Sequence, residues 1–237
     1  MTPEFINVSR FLVGFLILLY ASYTDIKTRR APNVLWIIMI ISGGLLLLIE
    51  YLYTGFDSQV LYLVFIPIMI LLMYILFQLR IIFGGADAKA LMSLSILVPF
   101  WPSHPFTPLS ESYLPFPWVV FSNSVLLFLI IPISLLVYNL YKGDIVFPHC
   151  LLGYKMRVDE ARKSFVWPLE KIVDGKRKLQ YTSHIHDNPS QWELFKQQGI
   201  STIWVTPKIP FMVPLLSGFT LSFLLGDILF LITRLVT

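Results

Sequence analysis

Charged residues and cysteine are both scarce in this chain of 237 residues, and each scarcity excludes a class of protein. Charged residues make up 14% of the chain, whereas soluble domains carry about 25%. Because 56% of the residues are hydrophobic, the composition predicts an integral membrane protein. The single cysteine, Cys150, excludes an internal disulfide and a zinc site made of four cysteines. The net charge of +4 is too small to indicate a nucleic-acid partner.

Six apolar runs are predicted to be membrane spans, which need about 20 mostly apolar residues, and the fourth of them is short. They cover residues 5–24, 33–53, 60–79, 86–101, 118–141 and 209–232. The polar stretch 142–207 is too long for a simple connection and contains β-like runs such as 201–206. We therefore predict an α-helical integral membrane protein with six transmembrane helices and a small cytoplasmic mixed α/β domain between helices five and six. The predicted domains are 1–141, 142–207 and 208–237.

The basic residues predict the orientation of these spans. If the spans alternate in direction, 16 of the 18 Lys and Arg residues fall on one side of the membrane. Without the long polar stretch, whose charges count for little in this rule, five of these residues still oppose two. The positive side is predicted to be cytoplasmic, in the plasma membrane, with both termini outside. The lipid bilayer is then the first expected partner.

Two acids fall on that cytoplasmic side at similar depth. Asp25 ends the first apolar run, and Asp87 begins the fourth. Ionisable groups at the ends of membrane spans are costly to bury and are candidates for function. Two neighbouring carboxyls share one proton, so such a pair offers a general acid and a general base together. The structural alternative is that Asp87 merely begins a helix and that Asp25 pairs with Lys27 or Arg29.

The residues around Asp87 suggest supporting roles. Gly84 and Gly85, followed by the small Ala86, are predicted to permit positive φ and to let an extended substrate strand approach the main chain. Lys89 lies about 200° around a helix from Asp87, so a direct pair is not expected. Lys89 is predicted to reach lipid headgroups, with electrostatic tuning of Asp87 as the alternative.

Other polar residues are excluded from the predicted site. His184 and His186 precede Asp-Asn-Pro, which favours a solvated turn over a metal site, so neither a metal nor another cofactor is predicted. Asp227 lies near the outer end of the last span and is predicted to be interfacial.

Two of these segments resemble known motifs. Residues 25–33, an aspartate followed by a basic stretch and Pro-Asn, resemble the first-loop motif of type IV prepilin peptidases. Residues 84–91 resemble their second motif, Gly-x-Gly-Asp-x-Lys, with Ala86 in place of the second motif glycine. Residues 205–214 resemble the entry to the last span of archaeal preflagellin peptidases. With the long segment before the last span, the resemblance covers nearly the whole chain.

The resemblance implies a membrane aspartic protease of the GxGD type with Asp25 and Asp87 as the catalytic pair. Such enzymes remove the short basic leader of preflagellins or prepilins, just before a hydrophobic helix, at the cytoplasmic membrane edge. Those precursors are therefore the expected substrates. Bacterial members often carry a four-cysteine zinc segment and also N-methylate the new amine. Since Cys150 alone cannot form that segment, we expect an archaeal-type enzyme that acts only as a protease.

Two alternatives remain open at this point. A protease of the presenilin or signal-peptide-peptidase kind would use similar motifs but hold its acids deeper in the bilayer. A proton-coupled carrier would use Asp25 and Asp87 as protonation sites, and it predicts acids near the midplane and repeated halves of the chain.

Overall fold

The structure is a computed structural model that describes residues 3–56, 60–79, 84–173, 175–179 and 189–236. Two residues considered above for a metal site, His184 and His186, lie outside this range. The described chain divides into two compact units. Unit 1 comprises residues 1–128 and 210–237, and unit 2 comprises residues 129–209.

Unit 1 is helical. Its helices are α1 (Pro3–Thr28), α2 (Asn33–Thr54), α3 (Val60–Leu63), α4 (Phe65–Gln78), α5 (Gly85–Leu97) and α6 (Phe116–Phe128), and two further helices, here α11 (Met212–Leu224) and α12 (Ile228–Val236), follow unit 2. The break between α3 and α4 falls at Val64, three residues before Pro67. A proline ring clashes with the carbonyl four residues earlier, so a break at this point is expected.

Within the residues that the structure describes, four helical segments are long and apolar enough to cross a membrane: Glu4–Thr28, Asn33–Tyr53, Val60–Gln78 and Phe116–Lys142. The chain is therefore a multi-pass membrane protein, as its composition predicted. The predicted fourth and sixth spans correspond to α5 and α11, which have 13 residues each. A helix of that length covers about 20 Å, less than the hydrocarbon core of about 30 Å. The prediction of six spans is thus not confirmed.

α5 lies at the centre of unit 1, packed against α1, α2, α4 and α6. Its small side chains explain this position. Ala88, Ala90, Ser93 and Ser95 are all buried, and small residues allow helix backbones to approach closely. Gly43 of α2 faces the far end of α5, where a Cβ atom at Gly43 would lie 2.7 Å from the Cα atom of Leu97. The α2–α5 interface therefore tolerates only glycine at this position.

The second close helix pair is α6 with α11. A Cβ atom at Gly218 of α11 would lie 2.7 Å from the backbone nitrogen of Ser124 on α6. A cluster of aromatic rings joins this pair to α1, with centroid separations of 4.9–5.9 Å among Phe11, Phe106, Phe116, Phe219 and Phe223. This packing fixes α11 beside α1, which matters for the site below.

The predicted last span differs from the structure at Asp227. α11 ends at Leu224, the chain turns through Gly226 with φ 79°, and Asp227 is buried rather than interfacial. The Asp227 carboxylate accepts a hydrogen bond from the backbone N–H of Phe230 at 3.1 Å and so caps α12. Its own N–H donates to the carbonyl of Ser110 at 2.9 Å.

Unit 2 carries α7 (Ile130–Lys142), α8 (His149–Leu152), α9 (Val158–Ala161) and α10 (Pro189–Gln197). Its strands are β1 (Tyr154–Arg157), β2 (Val166–Pro168), β3 (Glu170–Val173), β4 (Lys176–Leu179) and β5 (Thr202–Pro207). β5 is the central strand of an antiparallel sheet of order β1–β5–β2, and β3–β4 form a hairpin. The β-like run at 201–206 is therefore confirmed as a strand, and so is a small sheet domain near the C-terminus.

Candidate active site

The candidate site is built where α1 ends and α5 begins. Asp25 lies in the last turn of α1, which ends as Arg29 adopts a left-handed φ of 56°. That conformation is uncommon for a residue other than glycine and turns the chain out of the helix. The backbone N–H of Arg29 still donates to the carbonyl of Asp25 at 2.9 Å. Asp25 is consequently held at the helix terminus, where its half-buried side chain can meet other elements.

Asp87 is the third residue of α5. Its backbone N–H donates to the carbonyl of Gly84 at 3.1 Å, and that of Ala88 donates to the same oxygen at 3.3 Å. A carboxylate in the first turn is favoured by the helix dipole, so this position suits an acid. Ala88 and Ala90 bury the following turn in the core of unit 1, which anchors the residue that carries the carboxyl.

The structure brings the two predicted acids together. The carboxyl groups of Asp25 and Asp87 lie close enough to interact electrostatically, and both side chains are half-buried. Since like charges at short range cannot both ionise easily, the pair suits shared-proton chemistry. Asp87 does lie at the start of a helix, as the structural alternative states, and it has Asp25 as a neighbouring acid as well.

Asp25 has two further neighbours. The backbone N–H of Met212, the first residue of α11, donates to its carboxylate, and the guanidinium of Arg29 interacts with it electrostatically. The hydroxyl of Ser22 donates to the carbonyl of Met212 at 2.8 Å, so both backbone groups of Met212 bond to α1. The start of α11 is thereby a third component of the site.

The two glycines before Asp87 adopt conformations that any residue can reach. Gly84 has φ −89° and ψ 110°, and Gly85 is the first helical residue, so the prediction of positive φ is wrong. Gly84 is required for another reason. A Cβ atom there would lie 2.7 Å from the Cγ atom of Asp87 and still closer to its Oδ2 atom. The missing side chain makes room for the carboxyl of Asp87. Ala86 packs partly buried against the core.

Lys89 does not contact Asp87. Its ammonium donates to the side-chain oxygen of Asn33 at 2.9 Å, at the exposed start of α2. This hydrogen bond joins the Pro-Asn end of the first motif to the lysine of the second. It supplies a specific protein partner where the sequence suggested lipid headgroups or tuning of the acid.

Two components of the site were not predicted from the residues: the backbone of Met212, and Asn33 as the partner of Lys89. A backbone group leaves no signal in residue chemistry, although residues 205–214 were noted as a motif segment that contains Met212. Within the described residues, no group of three or more His, Cys, Asp or Glu side chains is arranged to hold a metal ion.

Comparisons with known proteins show the family to which the chain is similar. Residues 12–140 match the model of the type IV leader peptidase family, and residues 146–228 match the model described as Archaeal Peptidase A24 C-terminus Type II. A preflagellin peptidase of Methanococcus voltae is 32% identical over 92% of this chain and 95% of its own length. A preflagellin peptidase of Methanocaldococcus jannaschii is 31% identical over 92% of this chain and 94% of its own length. With one family model covering more than half of its residues and relatives matched almost end to end, this multi-pass membrane protein belongs to the type IV leader peptidase family.

Proposed function

We propose that this chain is a membrane aspartic endopeptidase that removes the short basic leader from preflagellins or prepilins, with Asp25 and Asp87 as the catalytic pair. The observation that carries the proposal is the approach of these two carboxyls at the junction of α1 and α5. The relatives named preflagellin peptidase supply the substrate class.

The proposed reaction is hydrolysis of one peptide bond. One carboxylate takes a proton from a water molecule, whose oxygen attacks the scissile carbonyl carbon. The partner carboxyl donates its proton to the leaving nitrogen as the carbon–nitrogen bond breaks, so the pair ends the cycle with one proton, as it began. The pair titrates as a unit, so the proton belongs to the dyad rather than to either residue.

The remaining site residues have positioning roles in this proposal. The N–H of Met212 and the guanidinium of Arg29 orient the carboxyl of Asp25. The open space at Gly84 admits the carboxyl of Asp87, and Gly85 and Ala86 leave the main chain accessible to an extended substrate strand. The basic residues that follow Asp25 are consistent with a site at the cytoplasmic membrane edge.

Neither alternative function is retained. A carrier would not be expected among peptidases, and its acids would lie near the midplane rather than at helix ends. A deeper presenilin-like site would place the charged Lys89, two residues after Asp87, inside the bilayer, where an ammonium group is costly.

The test is a cleavage assay on a preflagellin in membranes, comparing wild type with Asp25→Asn and Asp87→Asn. Each variant should lose activity by about 10³-fold or more, because each removes one member of a unit that acts together. Asp159→Asn is the matched control, since Asp159 is exposed and pairs with Lys196 in unit 2. It should cleave like wild type, as should wild type in EDTA. Full activity in either site variant would refute the catalytic pair.

A further inference from the structure

Three consecutive apolar side chains are exposed just after α7. Ile145 is 62% exposed and Phe147 is 77% exposed, and Val146 between them is exposed as well. We call these residues the 145–147 loop. Single exposed apolar side chains are ordinary on protein surfaces. A contiguous group of them so close to the end of a membrane helix indicates a surface that is covered when the protein is in its membrane.

The loop is fixed in place by a single residue, Asn139, in the last turns of α7. Before the loop, Gly143 has φ 73°, its N–H donates to the carbonyl of Leu140 at 3.2 Å, and the N–H of Asp144 donates to the carbonyl of Asn139 at 2.9 Å. This is the Schellman arrangement, which reverses the chain at a helix end. After the loop, the side-chain amide of Asn139 donates to the carbonyls of Cys150 at 2.9 Å and Gly153 at 2.7 Å.

These bonds set the level of the loop along α7. Both of its ends return to Asn139, which is buried, and the N–H of Cys150 also donates to the carbonyl of Val146 at 2.9 Å. The loop therefore lies beside the last turn of α7 rather than extending beyond it.

That turn of α7 has the composition of a membrane interface. Val137 and Leu140 continue the exposed apolar stripe of the helix, and Tyr141 is 87% exposed. The ammonium of Lys142 lies 5.9 Å from the ring centre of Tyr138. Tyrosines are enriched at headgroup level, and lysines at helix ends extend toward the headgroups. The 145–147 loop begins three residues after the end of α7 and so follows this exposed apolar stripe along the chain.

We propose that the 145–147 loop inserts into the headgroup–acyl boundary of the bilayer and holds the part of unit 2 that follows α7 against the membrane surface. The occupant of this apolar surface is lipid. Its neighbour Lys142 is suited to anionic headgroups, whereas Lys155 is neutralised by its ion pair with Asp144. The proposal does not depend on the proposed peptidase activity.

The test uses one environment-sensitive fluorophore, NBD, attached to single cysteines in the full chain reconstituted in vesicles of phosphatidylcholine and phosphatidylglycerol. Cys150 is replaced by alanine so that each variant carries one cysteine. Because the Cys150 thiol is buried, the labelling is also repeated in variants that keep it. The probe position is Phe147→Cys. Lys163→Cys, exposed in a turn of unit 2, is the aqueous control, and Leu16→Cys, exposed in the middle of α1, is the lipid reference.

We expect the label at 147 to emit at shorter wavelength than the label at 163 and to be quenched by lipids that carry a nitroxide near the headgroup. The label at 16 should be quenched more by a nitroxide deep in the acyl chain. A label at 147 that behaves like the one at 163 would overturn the proposal. Blue-shifted emission that no nitroxide lipid quenches would overturn it too, since protein would then cover the loop.

Discussion

Gly84→Ala should inactivate the protein while leaving it folded. The backbone of Gly84, at φ −89° and ψ 110°, is open to alanine. Its Cβ atom, however, would lie 2.7 Å from the Cγ atom of Asp87, whereas ordinary contacts begin at 3.4 Å. The Cγ atom must therefore move by at least about 0.7 Å, and the Oδ2 atom, which is closer still, by more, unless the carboxyl turns to another rotamer. A misplacement of about 1 Å can cost about 10²-fold in rate, so we expect a loss of this size in kcat.

The effect on stability should be small. The atoms that must give way belong to the end of one side chain rather than to the backbone. Replacing glycine by alanine at a helix N-cap costs about 0.5–1 kcal/mol. Gly85→Ala is the matched control, because its Cβ atom would meet only the ring of Phe77 at 3.4 and 3.6 Å, an ordinary contact. That variant should keep its stability and its kcat, because the Asp87 carboxyl is not displaced, and a side chain that obstructs the substrate strand at Gly85 would raise KM instead.

The assay is steady-state cleavage of a preflagellin in detergent or vesicles, with thermal unfolding of each variant measured in parallel. Displacement of the Asp87 carboxyl predicts that kcat falls while KM holds. If Gly84 instead served only to admit the substrate strand, KM would rise and kcat would hold. A kcat of Gly84→Ala within about twofold of the kcat of Gly85→Ala would refute the steric argument, which predicts a kcat about 10²-fold lower.

Two further predictions concern contacts around the site. Lys89→Met and Asn33→Ala are combined in a double-mutant cycle on kcat/KM. Their coupling should be about 0.5–1 kcal/mol, or about two- to fivefold, because the 2.9 Å hydrogen bond between the two side chains is exposed. Strictly additive effects would show that this bond has no role in positioning Asp87. Gly43→Ala should destabilise the protein by about 1–3 kcal/mol by pushing α2 away from the Cα atom of Leu97. Gly44→Ala, with no atom within 4 Å of its Cβ, should unfold at or above the wild-type temperature, because alanine favours a helix interior over glycine.

The class of the protein and the pairing of its acids were predictable because they depend on quantities that are local in the sequence. Scarce charge and long apolar runs predicted a multi-pass membrane protein. Counting spans put Asp25 and Asp87 on one side, and the small residues of the fourth run anticipated the close packing of α5. Each inference needed only composition and the order of segments along the chain.

The lengths of the inner helices were less accessible. α5 and α11 are apolar in sequence beyond their ends, yet both stop after 13 residues. α11 stops where Gly226 turns the chain and Asp227 caps α12, an arrangement secured by the hydrogen bond to Ser110 more than a hundred residues earlier. Hydropathy cannot register such a break, because the residues on both sides of it remain apolar.

The part of the site least accessible from sequence is its third component. The sequence identifies a carboxylate or a lysine by its residue type. Met212, however, acts through its backbone N–H and carbonyl, a pair of groups that every residue except proline has. Its contribution arises from place alone, since the packing of α11 against α6 and α1 directs the start of α11 at Asp25. The aromatic cluster and the absent side chain of Gly218 are thus as much determinants of the Asp25 environment as the charged residues near it. Motifs identify the acids of this site, while helix packing far from them orients one of the two.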